Sequence, residues 1–169
     1  MRKFLAFLPV VLMIAAAGPA PAAPLAEGAK ADMIVVAKAE RTLTLMRKGA
    51  PLKSYRVALG GEPVGPKRQQ GDRRTPEGTY RIDYRNPKSR FHLSLHISYP
   101  SRQDRRAAKK RGVSPGGDIM IHGLPNGYGW IGIAHRVVDW TDGCIALTDE
   151  EIEELWRAVP NGTPIEIKP

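Results

Sequence analysis

The stretch "DMIVVAKAERTLTLMRKGAPLKSYRVALG" (32–60) decides the fold class. It holds three short runs rich in apolar and β-branched residues, near 33–38, 41–47 and 52–59. Alternation at every second residue is the period of a half-buried strand, not of a helix. Glu40-Arg41 and Lys48-Gly49-Ala50-Pro51 interrupt the runs where hairpin turns would fall. Outward from this core, "GEPVGPKRQQGDRRTPEG" (61–78) is a long polar loop. Strand-like alternation returns in "TYRIDYR" (79–85) and "FHLSLHISY" (91–99), then in "DIMIHG" (118–123) and "PIEIK" (164–168).

Two helices are expected between these runs. "SRQDRRAAKKRG" (101–112) reads as a short solvated helix ending at Gly112. Thr148 and Glu151 have the spacing of a capping box for a helix over 149–158. Ile152, Leu155, Trp156 and Val159 supply its apolar face, and Pro160-Asn161-Gly162 stops it. With no repeat and no second core, the chain is one mainly β domain with a few short helices.

The N-terminus has Arg2 and Lys3, then an apolar run from Phe4 to Ala17, then Ala20-Pro21-Ala22. That order is a secretory signal peptide over 1–23. The run is 14 residues long, against about 20 needed to span a bilayer. Residues 24–31 read as a flexible leader and 32–169 as the folded domain, in a periplasmic or secreted protein without a membrane span. Losing Arg2 and Lys3 takes the net charge from +9 to +7. Such a surface suits a polyanionic partner, and export favours an envelope polymer. The basic runs "KRQQGDRR" and "RQDRRAAKKR" lack stacking aromatics, so no nucleic-acid partner is expected.

Cys144, in "VVDWTDGCIALTDEE" (137–151), is the only cysteine. An exported lone thiol risks oxidation and mispairing, which argues for chemistry instead of plain burial. Asp139, Thr141, Asp142 and Gly143 give it a polar, close-approach lead-in. A thiol of ordinary pKa needs a base. Of the four histidines, His122 fits best, because it ends an apolar strand and Gly123 keeps the next position open. His135 lies in a loop-like segment and could line the same site. His92 and His96 are expected on one strand face, flanking Ser94; their spacing on a strand does not suit the helical zinc-protease motif, so no metal is expected.

"IMIHGLPNG…DWTDGCIAL" resembles the signature of the L,D-transpeptidase catalytic domain family (YkuD-type): a strand ending in His-Gly, a loop, then Ser/Thr-x-Gly-Cys and an apolar residue. "RRTPEGTYRI" (73–82) and "LSLHISYPSRQDRRAA" resemble the family's preceding segments, and the similarity covers roughly 32–168. The resemblance implies a twisted β-sandwich-like domain and a peptidoglycan-modifying enzyme. Cys144 would be the nucleophile, His122 the base and acid, and the Gly123 carbonyl would orient His122. Backbone N–H groups around Asp142, Gly143 and Cys144 would form the oxyanion hole, with His96 and His135 as candidate substrate-lining residues. Stem peptides of peptidoglycan are the implied substrate, an envelope protein a further candidate acceptor, and no cofactor is implied. Three features depart from many members: Asp142 stands in place of His, Ala146 in place of Arg, and His122 and Cys144 are 22 positions apart, a longer gap that reads as an insertion of "HRVVDW". These departures leave hydrolysis of the same class, or non-catalytic wall binding, as alternatives to transpeptidation.

Overall fold

The alternation over 32–60 forms three antiparallel strands: β1 (Met33–Ala37), β2 (Thr42–Arg47) and β3 (Ala50–Arg56). This computed structural model describes residues 24–169. The expected signal peptide lies outside the described residues. Lys48 (φ 51°) and Gly49 (φ 78°) both take positive φ between β2 and β3, the backbone of a tight hairpin turn whose twist matches the strands. Ile34, Val36, Leu43 and Leu45 point inward and are fully buried, each stabilising the fold by about 1.5–3 kcal/mol.

The other strands are β4 (Gly78–Asn86), β5 (Ser94–Ile97), β6 (Met120–His122), β7 (Ile145–Ala146) and β8 (Pro164–Lys168). They form one sheet in the order β3-β2-β1-β8-β4-β5-β6-β7, with β1–β8 and β6–β7 parallel. The sheet curls so that its two ends meet. Ala58, just beyond β3, exchanges backbone hydrogen bonds with Ala146 of β7 at 3.1 and 2.8 Å. The fold class is mainly β with few short helices, as expected.

The helices follow their caps. Helix α1 (Arg102–Arg111) starts at Ser101 in a capping box with Asp104 and ends at Gly112 in the left-handed region (φ 70°). Helix α2 (Asp149–Ala158) starts in the expected Thr148–Glu151 box and buries Ile152, Leu155 and Ala158 against the sheet. Neither helix is long and apolar enough to cross a membrane. Residues 24–31, read as a leader, lie along the domain: Ala31 N–H donates to Ala158 O (2.9 Å), and Leu25 contacts the core.

The loop 61–77 is fixed from beneath by Lys38, 2% exposed. Its ammonium donates to Gly65 O (2.7 Å), Thr75 O (3.1 Å) and Glu77 Oε1 (2.7 Å). All three donors are therefore used, which is what a buried ammonium requires. That loop backs the turn that precedes Cys144, with Arg74 O against Gly143 and Arg73 beside Asp142.

Candidate active site

His122 is the last residue of β6, and Cys144 immediately precedes β7. Because β6 and β7 are parallel neighbours, His122 pairing with Ala146, the curled sheet carries both side chains to one rim. They line one cleft of about 490 Å³ together with Phe91, Ser94, Asp118 and Trp140. Lys88 and Arg90 lie along the same cleft.

His122 is 4% exposed, and its Nδ1 donates to the Gly123 carbonyl at 2.7 Å. A carbonyl only accepts, so the proton sits on Nδ1 and Nε2 keeps its lone pair. Phe91 lies against the ring with centroids 4.5 Å apart, and Trp140 meets it edge-on at 5.8 Å. Burial lowers the His122 pKa to about 4, with the Gly123 carbonyl opposing. Imidazole is thus neutral at physiological pH.

Gly123 is walled in, not open as expected. A Cβ there would stand 2.7 Å from Asp149 Oδ1 and 3.0 Å from Ile152. Asp149, at the first turn of α2, accepts from Leu124 N–H at 2.8 Å. The α2 N-terminus thereby holds the carbonyl that orients His122.

The turn carrying Cys144 is fixed by Thr141 and Gly143. Thr141, 5% exposed, donates through Oγ1 to Cys144 O (2.7 Å) and accepts from Gly143 N–H (3.1 Å). Gly143 has φ 126°, and a Cβ would lie 2.6 Å from Arg74 O. The Gly143 N–H is therefore committed to Thr141. Among the described residues, the N–H groups of Asp142 and Cys144 have no protein acceptor.

The thiol accepts from Met120 N–H (3.4 Å) and points its own proton at Asp118 O (3.6 Å). Burial pushes the thiol pKa up, the carboxylates of Asp142 and Asp118 push it further, and Met120 N–H and Lys67 oppose. Asp142 is exposed and 3.7 Å from Arg73 Nε.

The other histidines diverge. His92 has φ 61° and lies before β5, because the strand begins only at Ser94. It therefore does not share a strand face with His96, as the alternation suggested; instead its Nε2 meets Glu153 on α2 at 2.8 Å. His96 stacks on Tyr84 (4.5 Å) and pairs with Asp83 (2.6 Å). It is not among the residues lining the cleft. His135 is buried behind Trp140, whose Nε1 donates to its Nδ1 at 3.4 Å, in a separate apolar pocket of about 290 Å³.

Phe91 and Trp140 were not expected in the site, although Phe91 adjoins His92 and Trp140 lies between Asp139 and Thr141. Ser94 was not expected in the cleft either; the residue is 1% exposed, and its buried hydroxyl has no partner among the described residues. Among those residues, no group of three His, Cys, Asp or Glu side chains is close enough to hold a metal ion.

The family model of the YkuD L,D-transpeptidase catalytic domain matches residues 31–167. YafK of Escherichia coli strain K12, whose L,D-transpeptidase activity is itself only proposed by its name, is 31% identical over 132 residues. That alignment covers 75% of this chain and 46% of YafK. The fold is shared with the helical cell shape determining protein Pgp2 of Campylobacter jejuni, at a TM-score of 0.62 and 23% identity over 80% of this chain and 46% of that one. Bd1075 of Bdellovibrio bacteriovorus matches at a TM-score of 0.57 and 24% identity, over 84% and 49%. The chain spans about half the length of these relatives. A domain-length family match thus coincides with a rim that joins the strand-end His-Gly to the Thr-x-Gly-Cys turn, and the chain belongs to the L,D-transpeptidase catalytic domain family.

Proposed function

We propose that the protein is a periplasmic or secreted cysteine acyltransferase that acts on peptidoglycan stem peptides through a thioester on Cys144. The observation that carries this reading is the lock of His122 Nδ1 on Gly123 O, which leaves Nε2 as a base in the cleft that Cys144 lines. His122 is held down near 4 and the thiol is held up, so the starting pair is neutral thiol and neutral imidazole. Proton transfer then accompanies attack, as in general-base catalysis.

In that mechanism Sγ turns from Asp118 O toward the cleft, gives its proton to His122 Nε2 and attacks a stem-peptide carbonyl. The N–H groups of Cys144 and Asp142 are the donors free to receive the oxyanion, since Gly143 N–H is already bonded. The tetrahedral intermediate collapses, the terminal D-residue leaves as an amine with the proton from His122, and a thioester remains. An amine from a neighbouring stem or an attached envelope protein resolves it into a new amide.

Resolution by water is a second reading, favoured by Ala146. Ala146, fully buried in β7 and bonded to Ala58, stands where many relatives have the arginine with which they bind substrate. The protein would then be an L,D-carboxypeptidase or an amidase on a wall-peptide link. Either reaction remodels the wall and would bear on cell shape, the role in which Pgp2 is described.

The test incubates the mature protein with tetrapeptide muropeptides and follows products by mass spectrometry, with Cys144→Ala beside it. Cross-linked dimers that need Cys144 support the transferase, and shortened monomers alone support the hydrolase. Absence of any Cys144-dependent product sinks the catalytic reading and leaves a wall-binding domain.

A further inference from the structure

Helix α1 carries more positive charge than the fold can use. Arg102, Arg105, Arg106, Lys109 and Lys110 are all exposed, and none has a carboxylate partner among the described residues. Arg102 and Arg106, Arg105 and Lys109, and Arg106 and Lys110 are like charges at i, i+4, a spacing that destabilises a helix. Arg102, Arg105 and Arg106 also sit in the half where the helix dipole disfavours cations. The one acid on the helix, Asp104, is turned inward, accepting from Ser101 N–H (2.8 Å) and Tyr80 Oη (3.2 Å). Arg102, Arg106 and Lys110 line a shallow depression of about 550 Å³, and the row spans about 12 Å along the axis.

This surface continues to the active site. Arg111 donates to Arg68 O at 2.7 Å, and Gln70 N–H donates to Ser114 O at 2.8 Å, tying the end of α1 to the loop 66–74. Arg68 and Arg73 are exposed on that loop. Arg73 reaches toward Asp142, and Arg74 O lies against Gly143 beside the nucleophile. The helix presents no apolar side chain larger than alanine, so it lacks the apolar face with which an interfacial helix enters a bilayer.

We infer that the cationic face of α1, continued by Arg68 and Arg73, docks the carboxylate-bearing wall polymer while the cleft works on one of its peptides. The identity of the polymer rests on the function proposed above. The attraction acts between exposed charges, so salt screens it over about 8 Å at physiological ionic strength. It serves to hold the polymer near the cleft; a short soluble muropeptide would not need it.

The test is co-sedimentation with purified sacculi from low salt to about 500 mM NaCl, comparing full mature protein with the variant Arg102→Gln/Arg106→Gln/Lys110→Gln. Glutamine keeps helix propensity, and an unchanged thermal melt establishes folding. The expected result is sacculus binding about tenfold weaker in the variant at low salt, with the two curves converging at high salt. Sacculi whose carboxylates have been amidated should bind the wild type as weakly as the variant binds native sacculi. Equal binding by both proteins, or undiminished binding to amidated sacculi, overturns the proposal. So does stronger retention on phosphatidylglycerol vesicles than on sacculi, lost in the variant, which would make a membrane the partner. Running the series in Cys144→Ala protein separates the two claims: failure of muropeptide turnover sinks the enzyme, whereas this measurement reads docking alone.

Discussion

The chain from the end of β6 through β7 divides into two stretches of different character. In 139–147 several backbone and side-chain groups are bonded to distant parts of the chain. Asp139 accepts from Leu59 N–H and pairs with Arg41; Thr141 N–H donates to Leu59 O, Gly61 N–H to Thr141 O, and Leu147 N–H to His122 O. In 124–138 the backbone bonds of Tyr128 and Ile131 are local turns, and Trp130, Ile133, Val137 and Val138 are exposed. That stretch is anchored at its start by Leu124 N–H on Asp149 and Asn126 N–H on Arg90 O, and further on by buried His135 and the Arg136–Glu151 pair. Long-range bonding and steric walls fix a backbone to the tolerance that a nucleophile needs. A few anchors suffice to hold a rim in place.

The largest effect should come from filling the tightest contact in the first stretch. Gly143→Ala places a Cβ 2.6 Å from Arg74 O at φ 126°, a conformation that L side chains rarely adopt. We expect a loss of about 2–4 kcal/mol in stability and at least about 100-fold in turnover, because Cys144 shifts with its neighbour. Urea unfolding and muropeptide turnover measure the two. A Gly143→Ala protein with ordinary turnover would remove the contrast altogether.

A moderate effect should come from charge at the same turn. Burial is the main reason the Cys144 thiol is raised, and Asp142 adds to it. Asp142→Asn removes a carboxylate that disfavours the thiolate, so the pH profile of iodoacetamide alkylation should move to lower pH, with a few-fold faster reaction at neutral pH. On the acid side, a base held to about 4 by burial stays neutral well below the ordinary histidine range. Turnover limited by that group should persist to about pH 5 and disappear as pH falls through about 4. An alkylation profile that moved upward in the Asn variant would show that Asp142 does not act on the thiol through its charge.

The same contrast explains which features the amino-acid sequence carries on its own. The alternation of 32–60, the Thr148–Glu151 cap, the helix end at Gly112, the strand-end His122 and the nucleophile candidate Cys144 depend on neighbours in sequence, and their periods and spacings carry them. Strand β7 is only two residues long, too short for a period, and exists because Ala58 and His122 meet it from either side. His92 fell out of the strand because Asn126 and Glu153, distant in sequence, hold it at positive φ. The wall around Gly123 comes from α2, and Lys38 became a buried post for the loop 61–77 through partners 27 and more positions away. The commitment of Gly143 N–H to Thr141 is local, but it depends on a backbone angle that composition does not reveal.

The smallest effect should come from the second stretch. Trp130 is 82% exposed and Val137 84%, so neither contributes much burial to the fold. Trp130→Ser/Val137→Ser should leave stability within about 0.5 kcal/mol of wild type, with unchanged turnover of soluble muropeptides. Thermal melts and the same product assay check both. The informative outcome is an unchanged melt with reduced turnover. A side chain that adds nothing to the fold yet matters to the reaction must touch what the reaction handles, and the exposed 128–138 rim would then belong to the cleft and not merely adjoin it. An unchanged melt with unchanged turnover keeps the division between the two stretches: geometry for chemistry in 139–147, and an apolar surface that the reaction does not use in 124–138.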